Sequence, residues 1–89
     1  MVLPTYKVAI EDVIISDFLK LDFESTGDMR VEIEVINIDG IVVHAEKIDL
    51  STGSNVRYLF LNNVASGVYF ITFNNPFSEV IIRQFIVVR

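Results

Sequence analysis

Arg30-Val31-Glu32-Ile33-Glu34-Val35 alternates a charged residue with a β-branched one at every step. Side chains of an extended chain leave its two faces in turn, so a period of two gives one apolar and one charged face, as in a half-buried strand. β-Branching favours the same conformation, because two heavy atoms on Cβ restrict χ1 in a helix and pack well on a pleated surface. Upstream, Leu19, Leu21 and Phe23 alternate with Lys20, Asp22 and Glu24, and Ser25-Thr26-Gly27-Asp28 reads as the turn between the two runs.

Downstream, Asn37-Ile38-Asp39-Gly40 precedes Ile41-Val42-Val43-His44-Ala45-Glu46-Lys47. Asp-Gly between two β-rich runs predicts a hairpin, with Gly supplying the positive φ. The turn Ser51-Thr52-Gly53-Ser54-Asn55 leads into Val56, Tyr58 and Phe60, and Ala65-Ser66-Gly67 into Val68-Tyr69-Phe70-Ile71-Thr72-Phe73. After Asn74-Asn75-Pro76-Phe77-Ser78 comes a terminal strand over residues 79–88, and Tyr6-Lys7-Val8-Ala9-Ile10 and Val13-Ile14-Ile15 supply strand material at the front. A helix over residues 13–23 fits less well, since the alternation continues past it. About seven strands at a spacing of roughly 10–12 residues, with connections too short for a crossover helix, predict an all-β fold. The expected architecture is an immunoglobulin-like antiparallel β-sandwich, one domain over residues 1–89.

Composition narrows the function classes. A chain of 89 residues that is 52% hydrophobic, with seven Phe and three Tyr, has the material for one core and is not a disordered segment. Without Cys there are no disulfides or thiolate metal sites, and stability rests on packing and backbone pairing. A net charge of −5 with seven scattered basic residues argues against nucleic acid as a partner. No apolar run approaches the roughly 18 residues of a transmembrane segment. Met1-Val-Leu-Pro-Thr-Tyr-Lys lacks the basic start and apolar stretch of a signal peptide, so export would use a signal removed or replaced by Met1.

The candidates for chemistry are few. His44 is the one histidine, which rules out a multi-histidine metal site, and its place in a strand reads as solvent-facing. Asp22/Glu24 and Glu32/Glu34 are pairs of the kind used in glycoside hydrolysis or Ca²⁺ binding, but a separation of two puts each pair on the charged strand face, opposite the core. The four glycines sit in turn clusters and form no phosphate loop, and Asp28 and Asp39 lack the further ligands of a calcium loop. No catalytic, cofactor or metal residues are expected. Tyr58, Phe60, Tyr69, Phe70, Phe73, Phe77 and Phe85 are the residue types of a sugar- or peptide-binding platform but read mostly as core, with a tyrosine before the penultimate strands placed to hydrogen-bond a neighbouring backbone group. One segment breaks the pattern: Val80-Ile81-Ile82-Arg83-Gln84-Phe85-Ile86-Val87-Val88 is apolar on both faces, whereas a sandwich strand buries one. Its outer set, Val80, Ile82, Gln84, Ile86 and Val88, is the predicted interaction strand, for another protein chain or for self-association.

Asn37-Ile38-Asp39-Gly40-Ile41-Val42-Val43 and Leu61-Asn62-Asn63-Val64-Ala65-Ser66-Gly67-Val68-Tyr69-Phe70-Ile71 resemble segments of two related families from Bacteroidetes. One comprises small secreted immunoglobulin-like proteins of unknown function. The other is the C-terminal sorting domain of type IX secretion, with its D-x-x-G-x-x-V hairpin and L-x-S-G-x-Y-x-I strand start. The resemblance spans most of residues 17–88, and its motifs are structural. For the sorting domain it implies a removable export signal behind a cargo, recognised at the outer membrane. Leu3-Pro4-Thr5 and Asp12-Val13-Ile14 do not match that family's tyrosine-proline-asparagine-proline-like opening, and no cargo precedes the domain, so the small secreted group is the nearer likeness. The expectation is a non-enzymatic structural or interaction module of an exported or cell-envelope protein, extracytoplasmic. The alternatives are a type IX sorting domain and an accessory domain of a carbohydrate-active enzyme.

Overall fold

In the computed structural model, which describes residues 2–89, the alternating segments form eight strands. They are β1 (Tyr6–Ile10), β2 (Val13–Ile14), β3 (Phe18–Ser25), β4 (Met29–Asn37), β5 (Val42–Leu50), β6 (Gly53–Phe60), β7 (Gly67–Asn74) and β8 (Ile81–Val87). Three make a small sheet in the order β1-β3-β6, and five a large sheet in the order β2-β8-β7-β4-β5. The inward positions of the two sheets meet in one core. Leu19, Leu21, Phe23 and Leu59 come from the small sheet, and Val31, Ile33, Val35, Ile71, Phe73, Phe85 and Val87 from the large one. Burying a side chain of this size stabilises by about 1.5–3 kcal/mol, so the opening hexapeptide alone places three such anchors.

The predicted sandwich is present, with one strand more than the expected seven and one pairing that is not antiparallel. β2 lies parallel to β8, Val13 opposite Ile86 and Ile14 opposite Val87. The cause is a crossing at Glu11-Asp12. Residues before it pair antiparallel with β3, and those after it reach the other sheet, where β8 runs in their own direction. A parallel pair arises without a crossover helix because almost the whole domain lies between its members.

The β4–β5 hairpin forms as the Asp-Gly signal predicts, with Gly40 at φ 80°. Asn37 secures it, its Oδ1 accepting the N–H groups of Asp39 at 2.9 Å and Ile41 at 3.0 Å. A register shift between Val35 and Ile36 adds a bulge. Asn55 organises the β5–β6 turn in the same way, accepting from the Ser51 N–H and donating to the Ser51 and Gly53 carbonyls. The molecule extends 45 × 23 × 17 Å. At one pole Thr5 pairs with Thr26, and at the other lies Arg89, bonded to the Ser16 and Leu61 carbonyls.

Candidate interaction surface

β8 separates its two sets of side chains as the strand period requires. Phe85 and Val87 enter the core, while Val80, Ile82, Ile86 and Val88 are 38–58% exposed and Gln84 is exposed with them. The strand is shorter than residues 79–88, so Val80 and Val88 flank it.

Neighbouring strands enlarge this row into a face. Register sets Val13 and Val68 on either side of Ile86, and Gln84, Phe70, Ile36 and Val42 across the sheet in one line. Phe70, Ile36 and Val68 are half-buried, and Val13 and Val42 are exposed. The outer face of the large sheet is therefore apolar toward the Arg89 pole. Toward the other pole it turns charged through Glu34, Glu32 and Lys47, with Lys47 Nζ 3.7 Å from Glu32 Oε1. Contiguous exposed apolar area of this kind marks surfaces that meet another molecule. The β8 members were readable in the sequence, whereas Val13, Ile36, Val42, Val68 and Phe70 join them only through inter-strand register.

Behind this face Arg89 fastens the pole. Its Nη1 donates to the Ser16 carbonyl at 2.6 Å, Nη2 to the Leu61 carbonyl at 2.5 Å and Nε to the Val64 carbonyl at 3.2 Å. Asp17 Oδ1 lies 3.4 Å from Nη1, and the Arg89 backbone N–H donates to Ser66 Oγ at 2.8 Å. Tyr69 adds a further tie, its hydroxyl donating to the Ala65 carbonyl at 2.7 Å. A tyrosine-to-backbone bond is thus present, but from within the penultimate strand and not from before it, where the sequence reading put it. No sequence pattern pointed to Arg89, because a planar donor reaching several carbonyls leaves no periodic trace.

The remaining candidates fall elsewhere. His44 does not face open solvent: the bulge shifts the phase of β5, and His44 lies on the side of Ile48 and Leu50, half-buried, with Nε2 3.1 Å from Glu46 Oε1. Asp22, Glu24, Glu32 and Glu34 are on the exposed faces, as their spacing required. Among the described residues no three His, Asp or Glu side chains converge as a metal site. Tyr69, Phe73 and Phe85 are core, whereas Tyr58, Phe60 and Phe77 are exposed. Phe18 joins Tyr58 and Phe60 on the small sheet, with ring centroids 6.3 and 5.0 Å away and interplanar angles of 85° and 36°. These rings are not coplanar and offer no flat stacking platform.

Comparison with known proteins ties the chain to a secretion sorting-domain family by sequence and to a part of several β-glucosidases by shape. A family described as "Secretion system C-terminal sorting domain" matches residues 15–88. The comparison with curated protein sequences gives no match. Among solved structures, a mutant β-glucosidase from Listeria innocua in complex with laminaribiose superposes with a TM-score of 0.66 at 10% identity, over 98% of this chain and 16% of that one. The same enzyme in complex with glucose gives 0.64 at 11% identity, with 98% and 16% covered. A β-glucosidase from Kluyveromyces marxianus gives 0.54 at 16% identity, with 96% and 14% covered. The chain thus spans about a sixth of those enzymes, and at such identities the likeness is one of fold.

Proposed function

Since the chain belongs to the secretion system C-terminal sorting domain family, we propose that it directs a cargo protein out of the cell through type IX secretion, leaving it at the outer-membrane surface. The family match over residues 15–88 carries this reading. It moves the sorting role ahead of a generic structural or interaction module. The domain acts as one non-catalytic, immunoglobulin-like unit, read by the secretion apparatus through the apolar outer face of the large sheet.

The shape supports that use. A cargo joined ahead of Val2 enters at the Pro4 pole, while the apolar face lies toward the Arg89 pole at the far end of a 45 Å axis, clear of the cargo. The non-catalytic reading is supported by the carboxylate pairs, which stand on outer strand faces, with Glu32 engaged by Lys47.

The test is a reporter carrying an export signal ahead of this domain, expressed in a bacterium with a type IX apparatus. The reporter is expected at the cell surface with the domain removed, and retention in the periplasm overturns the proposal. Ile86→Lys, at a position 38% exposed, is expected to keep the fold and to strand the reporter inside; normal export of that variant removes the apolar face from the mechanism. Hydrolase activity lost on substituting Glu32 and Glu34 would overturn the non-enzyme reading.

A further inference from the structure

A sheet edge demands a particular partner, because its open N–H and C=O groups pair best with another extended backbone. On the outer side of β8 the Ile86 N–H donates to the Asp12 carbonyl at 2.8 Å and the Val88 N–H to the Ile14 carbonyl at 2.9 Å. Backbone groups alternate in direction along a strand, so Ile82 and Gln84 present theirs on this same side. β2 pairs with Ile86 and Val87 and stops there. The Ile82 carbonyl is capped from within, by Arg83 Nη1 at 3.1 Å, and the Ile82 N–H and both Gln84 groups remain at the edge.

Other edges are guarded. Arg57 donates to the Val56 carbonyl at 3.0 Å and the Asp49 carbonyl at 2.8 Å, closing the side where β5 and β6 meet. β1 carries the exposed Lys7, a common deterrent to edge pairing.

We propose that the β8 edge at Ile82 and Gln84 accepts an extended strand from another polypeptide, with apolar side chains opposite Ile82 and Gln84 and an acidic one opposite Arg83. Arg83 sets the charge: its side chain is exposed and has no carboxylate partner among the described residues. It also argues against a second copy. A symmetric antiparallel pair that bonds both open positions within β8 sets Ile82 opposite Gln84 of the other copy and Arg83 opposite Arg83, and like charges directly opposite destabilise a pair; pairing centred on Ile82 would set Gln84 opposite Val80, outside the strand. Pairing centred on Gln84 would need Ile86, which Asp12 already occupies. An acidic residue in the incoming strand instead draws Arg83 off the Ile82 carbonyl and frees it for the ladder.

The test needs no export. Purified domain is titrated with a capped Thr-Val-Glu-Val-Thr peptide while amide exchange is followed by NMR. Exchange at Ile82 and Gln84 is expected to slow with the bound fraction, about tenfold at nine-tenths saturation. Gln84→Pro, which removes an N–H that β7 does not use, is expected to abolish this. Arg83→Glu is expected to reverse the preference in favour of Thr-Val-Lys-Val-Thr, a readout that holds should the proline variant fail to fold. No protection at millimolar peptide overturns the proposal, as does protection confined to β1 or β5. Protection that rises with domain concentration alone overturns the choice of partner, assigning the edge to a second copy. None of these results depends on whether the reporter is exported.

Discussion

Replacing Arg89 by Ala takes a donor from three carbonyls, those of Ser16, Leu61 and Val64, of which Leu61 keeps the Val64 N–H at 3.2 Å. Hydrogen bonds from a charged donor contribute about 1.5–3 kcal/mol each when shielded, and less where water can replace the donor. The Arg89 side chain is 26% exposed, and the bond to Ser16 lies at the surface, whereas those to Leu61 and Val64 are partly buried. Counting the two bonds that are only partly buried at about 1–1.5 kcal/mol each and the third at about 0.5 gives a loss of roughly 2.5–3.5 kcal/mol. For a domain of this size that lowers Tm by on the order of 10–25 °C. Urea unfolding followed by circular dichroism measures it, with amide exchange across residues 61–66 locating the damage. Arg89→Lys, which keeps the charge but loses the planar fork, is expected to recover less than half. Asp17→Ala is expected to cost less than about 0.5 kcal/mol, the pair being exposed and 3.4 Å long. If Arg89→Ala costs under about 0.5 kcal/mol, or Arg89→Lys matches the wild type, the carbonyl clamp is not what holds this pole.

Tyr6 is 8% exposed, and its hydroxyl has no partner among the described residues. Tyr6→Phe is therefore expected to stabilise the fold by about 1 kcal/mol in urea melts. Burial raises the Tyr6 pKa above 10.0, favouring the neutral form in the folded state. Its contribution is complete below pH 10 and is lost as pH rises above that value, so wild-type stability should fall there more steeply than that of Tyr6→Phe. Asn37→Ala removes the acceptor of two turn N–H groups, and a loss of about 1 kcal/mol is expected in the same melts. Tyr69→Phe breaks the bond to the Ala65 carbonyl at a similar cost of about 1 kcal/mol, and an unchanged midpoint would mean that water serves Ala65 equally well. Ile86→Lys, on the exposed face, should shift stability by less than about 1 kcal/mol and leave the circular dichroism spectrum intact.

Alternation carried the central strands correctly because over residues 19–24 and 30–35 the chemistry of each residue and the face it occupies agree. It misassigned His44 because Val42-Val43-His44-Ala45 supports either phase, and the bulge beside Val35 decides between them. Glu11-Asp12 gave no sign that the first strand changes sheets, since two acidic residues fit a turn as well as a crossing. The terminal strand announced itself by being apolar on both faces. The width of the surface it belongs to depends on which strands lie beside it, and one-dimensional spacing does not encode that. Arg89 and the open backbone at Ile82 and Gln84 were equally silent, one because its partners are main-chain atoms and the other because its feature is an unmade pairing.

The parallel contact between β2 and β8 has a mechanical consequence. Tension applied through the two ends of the chain draws Val13-Ile14 toward the Pro4 pole and Ile86-Val87 toward the Arg89 pole, in opposite directions along a shared axis. The bonds from Ile86 to Asp12 and from Val88 to Ile14 are then loaded together in shear and do not open one after another like a zip. A two-residue clasp so oriented resists a pull along the molecule's length better than its size suggests, and it yields to a sideways peel.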